Sequence, residues 1–208
     1  MRKNSIYCRY IKGTIDKLAA LSGIVFFWWL YLIIAIAIKI EDPKGPVIFA
    51  QKRLGKDGVI YDMYKFRSMK VGAEHIGSGV YSDRHDDRVT NVGRFLRATS
   101  LDELPQLWNI LKGDISLIGF RSPLTYHPWK WEEYTVEQKK MFEMKPGITG
   151  WAQVHGRRTV EWNKRIEYNI WYAENVSLLL DAKILVMTVY KVLFSMDNEN
   201  IGATVQKK

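Results

Sequence analysis

From Leu18 to Ile38 the chain reads LAALSGIVFFWWLYLIIAIAI, without one charged residue. Coiled as an α-helix, this run is roughly 30 Å long, the thickness of a bilayer's hydrocarbon core. A membrane anchor is therefore expected. A cleaved signal peptide is the alternative, because Ala35-Ile36-Ala37 has the pattern of a cleavage site. Against it, the apolar run is too long and the basic region before it too extended. Arg2, Lys3, Arg9, Lys12 and Lys17 precede the run, and Lys39, Lys44, Lys52, Arg53 and Lys56 follow it. Basic flanks stay on the cytoplasmic side, a condition that one spanning helix cannot meet at both ends. A helix that enters, bends and returns can meet it. The rings of Phe26, Phe27, Trp28, Trp29 and Tyr31 lie mid-segment, where a spanning helix rarely puts interface-seeking groups. The reading is a re-entrant, one-leaflet anchor over residues 1–40, with a single-pass helix as the alternative. Residues 41–208 are expected to form one cytoplasmic domain.

The rest of the composition narrows the partners. Lysine and arginine outnumber acidic residues by 31 to 22 in 208 residues, a formal charge of +9. That balance suits nucleic acid, anionic lipid or a phosphorylated small molecule. No groove-reading or base-stacking motif accompanies it, so nucleic acid is not an expected partner. The single cysteine, Cys8, excludes an internal disulfide framework. Neither GxGxxG nor GxxxxGK[ST] occurs, which leaves Rossmann and P-loop nucleotide sites without support.

Beyond the breaker cluster Asp42-Pro43-Lys44-Gly45-Pro46, Val47–Phe49 and Tyr61–Phe66 read as short strands around a turn at Lys56-Asp57-Gly58. Gly72 to Asp87 reads as a polar loop. Helices are expected over Val92–Arg97, Asp102–Leu111, Pro128–Met144, Glu161–Ala173 and Leu178–Phe194, the last a candidate for the lipid interface. The fold class is α+β, mostly helical with a few short strands, carried by the anchor and by amphipathic interfacial helices.

Inside this basic chain SLDELPQLWN, Ser100 to Asn109, sets two carboxylates side by side. Adjacent helical residues point about 100° apart, so Asp102 and Glu103 can address one ligand only at a helix start. A purely local role competes. Ser100 to Glu103 matches a capping box, although that register puts Pro105 where it costs a helix hydrogen bond; with Asp102 as the cap, Pro105 falls in the tolerated first turn. The surrounding Lys65, Arg67, Arg88, Arg94, Arg97 and Arg121 favour chemistry. Phosphoryl transfer needs cations around the phosphates, a bridging metal and a positioned attacking group. Two carboxylates suffice for Mg²⁺, which takes further ligands from water and substrate phosphates. His75, His85, His127 and His155 have no zinc-type spacing.

Five runs occur in order: GPVIFAQKRLG (Gly45 to Gly55), YKFRSM (Tyr64 to Met69), DDRVTNVGRFLR (Asp86 to Arg97), TSLDELPQLWNILKGDISLIG (Thr99 to Gly119) and KPGITGWAQVHGR (Lys145 to Arg157). With the membrane segment before them, the chain resembles the bacterial monotopic phosphoglycosyl transferases over nearly its whole length. The resemblance implies a Mg²⁺-dependent transferase on the cytoplasmic face of the inner membrane. It would move a sugar 1-phosphate from a UDP-sugar to polyprenyl phosphate, undecaprenyl phosphate in a bacterium, and release UMP, opening glycoconjugate or exopolysaccharide assembly. The family's catalytic pair maps onto Asp102, the nucleophile of a covalent aspartyl phosphosugar, and Glu103, a metal ligand or proton handler. Lys65, Arg67, Arg88 and Arg121 are the expected phosphate contacts, and Arg157 a donor-nucleotide contact.

Three departures from the family pattern are visible. Trp28-Trp29 stands where the family breaks its anchor at Ser-Pro. Gly119-Phe120-Arg121-Ser122-Pro123 keeps the arginine of a Pro-Arg-Pro motif but moves its prolines, implying a less rigid loop. Asn169 replaces a frequent aspartate. The sugar pocket is expected in loops such as Gly72–Arg84 and Tyr126–Glu133, and the oligomeric state is left open. Two other classes compete with the transferase: a membrane phosphohydrolase using the same acids, and a basic membrane-tethered binding module without catalysis.

Overall fold

The computed structural model describes residues 5–73, 86–156 and 160–194. Residues 74–85 of the expected Gly72–Asp87 loop, with His75 and His85, lie outside the described residues, as does Arg157.

The apolar run becomes one helix, α1 (Lys12–Glu41), entered through a π-helical turn at Tyr7–Ile11. Every residue from Lys12 to Glu41 is helical, so the anchor lacks the interruption that a Ser-Pro break makes. At 1.5 Å per residue it is roughly 45 Å long. One stripe of this helix faces protein along the full length. Lys12, Asp16, Ala20, Ile34 and Ile38 are buried, and a Cβ added at Gly23 would meet Leu107 at 3.0 Å. The polar members of the stripe are all bonded. Lys12 pairs with Asp181 at 2.6 Å, Asp16 accepts from the Ser116 hydroxyl at 2.6 Å, and Tyr31 donates to the Leu104 carbonyl at 2.6 Å. At the far end, Glu41 accepts from the N–H groups of Asn91 and Val92.

The opposite face leaves Leu18, Val25, Phe26, Trp28, Leu32, Ile36 and Ile40 exposed. A helix bound to a polar body along its length cannot cross the bilayer without that body. The protein is monotopic, with this apolar face of α1 left uncovered by the rest of the described residues. Cleavage after Ala37 would also remove Tyr31 and Ile34 from a cluster they share with Phe66 and Leu96.

After the anchor, β1 (Ile48–Leu54) and β2 (Ile60–Phe66) form an antiparallel hairpin that pairs Leu54 with Ile60 and Phe49 with Lys65. Its turn needs positive φ at Asp57 and Gly58, and a Cβ on Gly58 would strike the Trp131 indole at 2.5 Å. Then follow α2 (Asn91–Ala98), α3 (Gln106–Lys112), β3 (Ser116–Ile118), α4 (Val136–Lys139), β4 (Gly147–Thr149), α5 (Trp151–Val154), α6 (Trp162–Asn175) and α7 (Leu178–Leu193). Strands β3 and β4 pair in parallel. They approach closely because Gly119, Gly147 and Gly150 have no Cβ: one on Gly150 would lie 1.8 Å from the Gly119 carbonyl oxygen.

The expected helix over Pro128–Met144 is replaced by the single-turn α4 and two 3₁₀ turns, Trp131–Glu133 and Lys140–Glu143. Aromatic packing overrides helix continuity there. Phe142 is fully buried and meets Phe120, Trp131 and Tyr134 edge to face at 5.0–5.1 Å. Helix α7 buries Ile184 and Asp181 while exposing Leu179, Val186, Val189 and Tyr190, the apolar face of an interfacial helix.

Candidate active site

Helix α2 stops at Ala98, and Ser100 turns the chain with φ of 58°, a left-handed conformation uncommon for a residue with a Cβ. A 3₁₀ turn, Leu101–Glu103, follows, then Leu104 and Pro105 lead into α3. The acid pair thus occupies its own turn ahead of α3, not the first turn of that helix as expected. Ser100 makes no capping hydrogen bond with its side chain, so the capping box does not form. Leu101 and Leu104 flank the pair and pack into the cluster holding Ile34, Ile38 and Phe66. Their burial clamps the turn between the anchor and the hairpin.

Asn109, which the motif reading passed over, supplies a second restraint. It is fully buried, accepts from the Tyr64 N–H at 3.0 Å and donates to the Asp62 carbonyl at 2.8 Å. These bonds tie α3 to β2 and set the acid pair against Lys65. Two amides three residues apart on one helix face, Gln106 and Asn109, were the available signal.

Asp102 is 8 % exposed, yet no hydrogen bond from the described residues reaches its carboxylate. Lys65 Nζ stands 3.9 Å from Asp102 Oδ2 and 2.8 Å from Glu103 Oε1. Arg121 lies 3.9 Å from Glu103 on the open side. Burial pushes the Asp102 carboxyl above its ordinary pKa; Lys65 opposes that shift, Glu103 reinforces it, and Arg97 and Arg121 oppose it. The sequence argument expected nearby cations to hold this group low, but desolvation outweighs them. Arg97, not selected among the expected phosphate contacts, is the second cation to act on Asp102, and it donates to the Ser68 hydroxyl at 2.9 Å.

The other expected contacts have protein partners of their own. Arg67, 6 % exposed, grips the Asp42 side chain and donates to the Asp42 carbonyl at 2.9 Å, pinning the C-terminal end of α1 to β2. Arg88 forks onto Asp86 at 2.7–2.8 Å and donates to the Ala73 carbonyl. Arg121 sits on a loop that is fastened to β1, contrary to the looseness implied by its missing prolines. Ser122 donates to the Leu54 carbonyl at 2.6 Å, Arg53 donates to the Ser122 carbonyl at 2.9 Å, and the Leu54 N–H reaches Pro123 at 3.0 Å. Asn169 is buried, its amide 3.9 Å from Met141 Sδ.

Among the described residues no three or more His, Cys, Asp or Glu side chains gather into a metal cluster. The two carboxylates nevertheless converge on one cation, Lys65 Nζ. A position that both share fits Mg²⁺, which needs one or two carboxylates when phosphate oxygens complete its shell.

Comparison with known proteins places the chain in a family. The bacterial sugar transferase family model matches residues 7–195. The chain is 41 % identical over 187 residues to the UDP-glucose:undecaprenyl-phosphate glucose-1-phosphate transferase of Xanthomonas campestris pv. campestris, covering 88 % of this chain and 38 % of that protein. It is 44 % identical over 167 residues to the uncharacterized sugar transferase EpsL of Bacillus subtilis (strain 168), covering 80 % and 78 %. A UDP-N-acetylgalactosamine-undecaprenyl-phosphate N-acetylgalactosaminephosphotransferase of Aeromonas hydrophila is 41 % identical over 187 residues, covering 88 % and 44 %. The chain thus spans less than half the length of the Xanthomonas and Aeromonas relatives. It belongs to the bacterial sugar transferase family, and its anchor makes it a monotopic protein of the cytoplasmic face of the inner membrane.

Proposed function

We propose that this member of the bacterial sugar transferase family moves a sugar 1-phosphate from a UDP-sugar to polyprenyl phosphate through a covalent intermediate on Asp102. The observation that carries the reading is a mostly buried carboxylate that accepts no hydrogen bond from the described residues and lies in the field of Lys65, Arg97 and Arg121. The activities for which the Xanthomonas and Aeromonas relatives are named support it: their sugars differ, but both names give undecaprenyl phosphate as the acceptor.

In the first step an ionised Asp102 oxygen attacks the donor phosphorus that bears the sugar. A bond forms from that oxygen to phosphorus as the bond to the bridging diphosphate oxygen breaks, and UMP leaves with the electron pair. In the second step a phosphate oxygen of the acceptor attacks the same phosphorus and the Asp102 carboxylate is released. The product is a polyprenyl diphosphate sugar. Splitting the transfer lets one turn serve a soluble donor and a lipid acceptor in succession, and the one-leaflet anchor keeps that turn near the headgroups.

Lys65, Arg97 and Arg121 would hold phosphate oxygens. Arg67 is better assigned to fastening the anchor, and Arg88 to ordering the approach to α2. Arg157 stays in the proposal as a donor-nucleotide contact on its motif alone. Asp102 and Glu103 would hold Mg²⁺, with Lys65 moving onto substrate phosphate. Bound there, the ion would neutralise the diphosphate and stabilise departing UMP.

The test is UMP release from a panel of UDP-sugars by detergent-purified protein with Mg²⁺, with and without undecaprenyl phosphate. Turnover that depends on the acceptor, a stoichiometric burst without it, and loss of both in Asp102→Asn is the expected result. Sustained release without acceptor would mean a hydrolase. Equal release by the variant would overturn the nucleophile.

A further inference from the structure

A groove of about 330 Å³ opens between the last turns of α1 and the start of β1, lined by Ala35, Ile36, Lys39, Ile40 and Val47. Four of the five linings are aliphatic. The fifth, Lys39, turns its charge onto the Pro43 and Gly45 carbonyls, each at 3.0 Å, and leaves its hydrocarbon stem to the groove. A water-filled groove of this kind on a soluble protein would be a liability. Here Ile36 and Ile40 belong to the exposed face of α1 that contacts lipid, so the groove is continuous with the membrane interface.

It is linked to the acid pair through the hairpin and through one buried cluster. The Arg67 N–H bonds the Val47 carbonyl, and Phe49, two residues or roughly 7 Å along β1, is paired with Lys65. Lys65 in turn bonds Glu103. On the helix side, Ile34 and Ile38 share a buried cluster with Val47, Leu101 and Leu104, the last two flanking the pair. A lipid whose phosphate reaches Asp102 must send its hydrocarbon back to the bilayer, and this groove is an apolar path from the hairpin to the lipid-facing side of the anchor.

We propose that the groove holds the first isoprene units of the acceptor's tail, and so selects a polyprenyl phosphate over a short prenyl phosphate. This rests on the proposed transferase reaction, and the test separates the two. Ala35→Trp fills the groove without touching the acid pair, and Leu18→Trp puts the same ring on the lipid face near the other end of α1.

The measurements are the acceptor-free UMP burst, and KM for undecaprenyl phosphate and for geranyl phosphate. The expected result is an unchanged burst in Ala35→Trp, a KM for undecaprenyl phosphate raised about tenfold, equivalent to about 1.4 kcal/mol, and little change for geranyl phosphate. Leu18→Trp should behave as wild type. Equal KM changes for both acceptors, or the same change in Leu18→Trp, would overturn the tail site. A wild type with no burst would sink the transferase reading, and the tail site with it.

A second measurement does not depend on a variant folding. Undecaprenyl phosphate carrying a photoactivatable group near its phosphate end should cross-link wild-type protein within residues 35–47. Cross-links elsewhere, or equal labelling of that segment by a photoactivatable phosphatidylglycerol, would show that ordinary lipid fills the groove and overturn the proposal.

Discussion

Two aspartates are buried to nearly the same degree, Asp102 at 8 % exposure and Asp181 at 3 %, and they are used in opposite ways. Asp181 accepts from Lys12 and Tyr7 at one oxygen and from Tyr172 at the other, each at 2.6 Å. Burial pushes the Tyr172 hydroxyl far above its usual range and Asp181 adds to the shift, so that hydroxyl remains a donor. Every strong direction around Asp181 is spoken for, and the result joins the entry to α1, α6 and α7. Asp102 has cations at a distance and, among the described residues, no hydrogen bond. Desolvating this charge costs stability, and its lone pairs remain available to a substrate. Full satisfaction suits a structural aspartate, and the free oxygens of Asp102 suit the nucleophile proposed for it.

The sharpest separation comes from removing each charge. Asp102→Asn should cut acceptor-dependent turnover roughly 10³-fold or more, while thermal unfolding of the purified protein shows an equal or higher Tm. A clear fall in Tm would break the comparison. Asp181→Ala should do the reverse. It leaves Lys12 buried without its counter-charge and strands two tyrosine hydroxyls, a loss of about 3–5 kcal/mol, visible as lower Tm and easier proteolysis. Turnover per folded molecule should be largely kept.

The pH dependence sharpens the contrast. The folded pKa of Asp102 is raised, so its protonated form is favoured by the fold; that contribution is complete below the unfolded pKa and is lost as pH rises through the folded one. The Tm advantage of Asp102→Asn should therefore grow between mildly acidic and neutral pH. Donor kcat/KM should fall on the acid side through the same raised pKa. Lys65→Met removes the largest opposing cation and should move that acid limb to higher pH.

The smallest effect concerns the clamp on the anchor. Burial pushes the Asp42 carboxyl up, but its bond with Arg67, the Arg67 charge and the Gly45 and Lys44 amides outweigh this and hold it low. Arg67→Met should lower Tm at neutral pH. The deficit should vanish as pH falls through the depressed pKa of Asp42, and salt should shrink it because that carboxylate is partly exposed. Unfolding curves of the variant and wild type across pH and salt check both statements.

Much of the fold was legible where local patterns were strong. The hairpin around Lys56-Asp57-Gly58, α2, α6 and α7 lie close to their expected positions. The segment Pro128–Met144 was misread because its helical propensity is local, whereas Phe142, Tyr134 and Met141 are claimed by a distant core with Phe120 and Leu54. At the site, the acid pair, Lys65 and Arg121 come together as expected. Arg67 does not join them, and nothing in its motif distinguishes a cation for phosphate from one for Asp42. Arg97 and Asn109 gain their roles from neighbours far along the chain, or from the left-handed turn at Ser100 that brings the chain back.

By itself the sequence determined that a helix would form over the uncharged run and that it would meet lipid, because length, apolarity and flanking charge act locally. It also determined the composition of the site, since the motifs fix which carboxylates and cations are present. Only the tertiary structure decided that the anchor lies along the body. That follows from partners separated by up to 174 residues, as Tyr7 and Asp181 are. Only the tertiary structure separated Asp102 from Asp181, because the pKa and reactivity of a carboxylate depend on which donors the fold brings within reach and which it withholds.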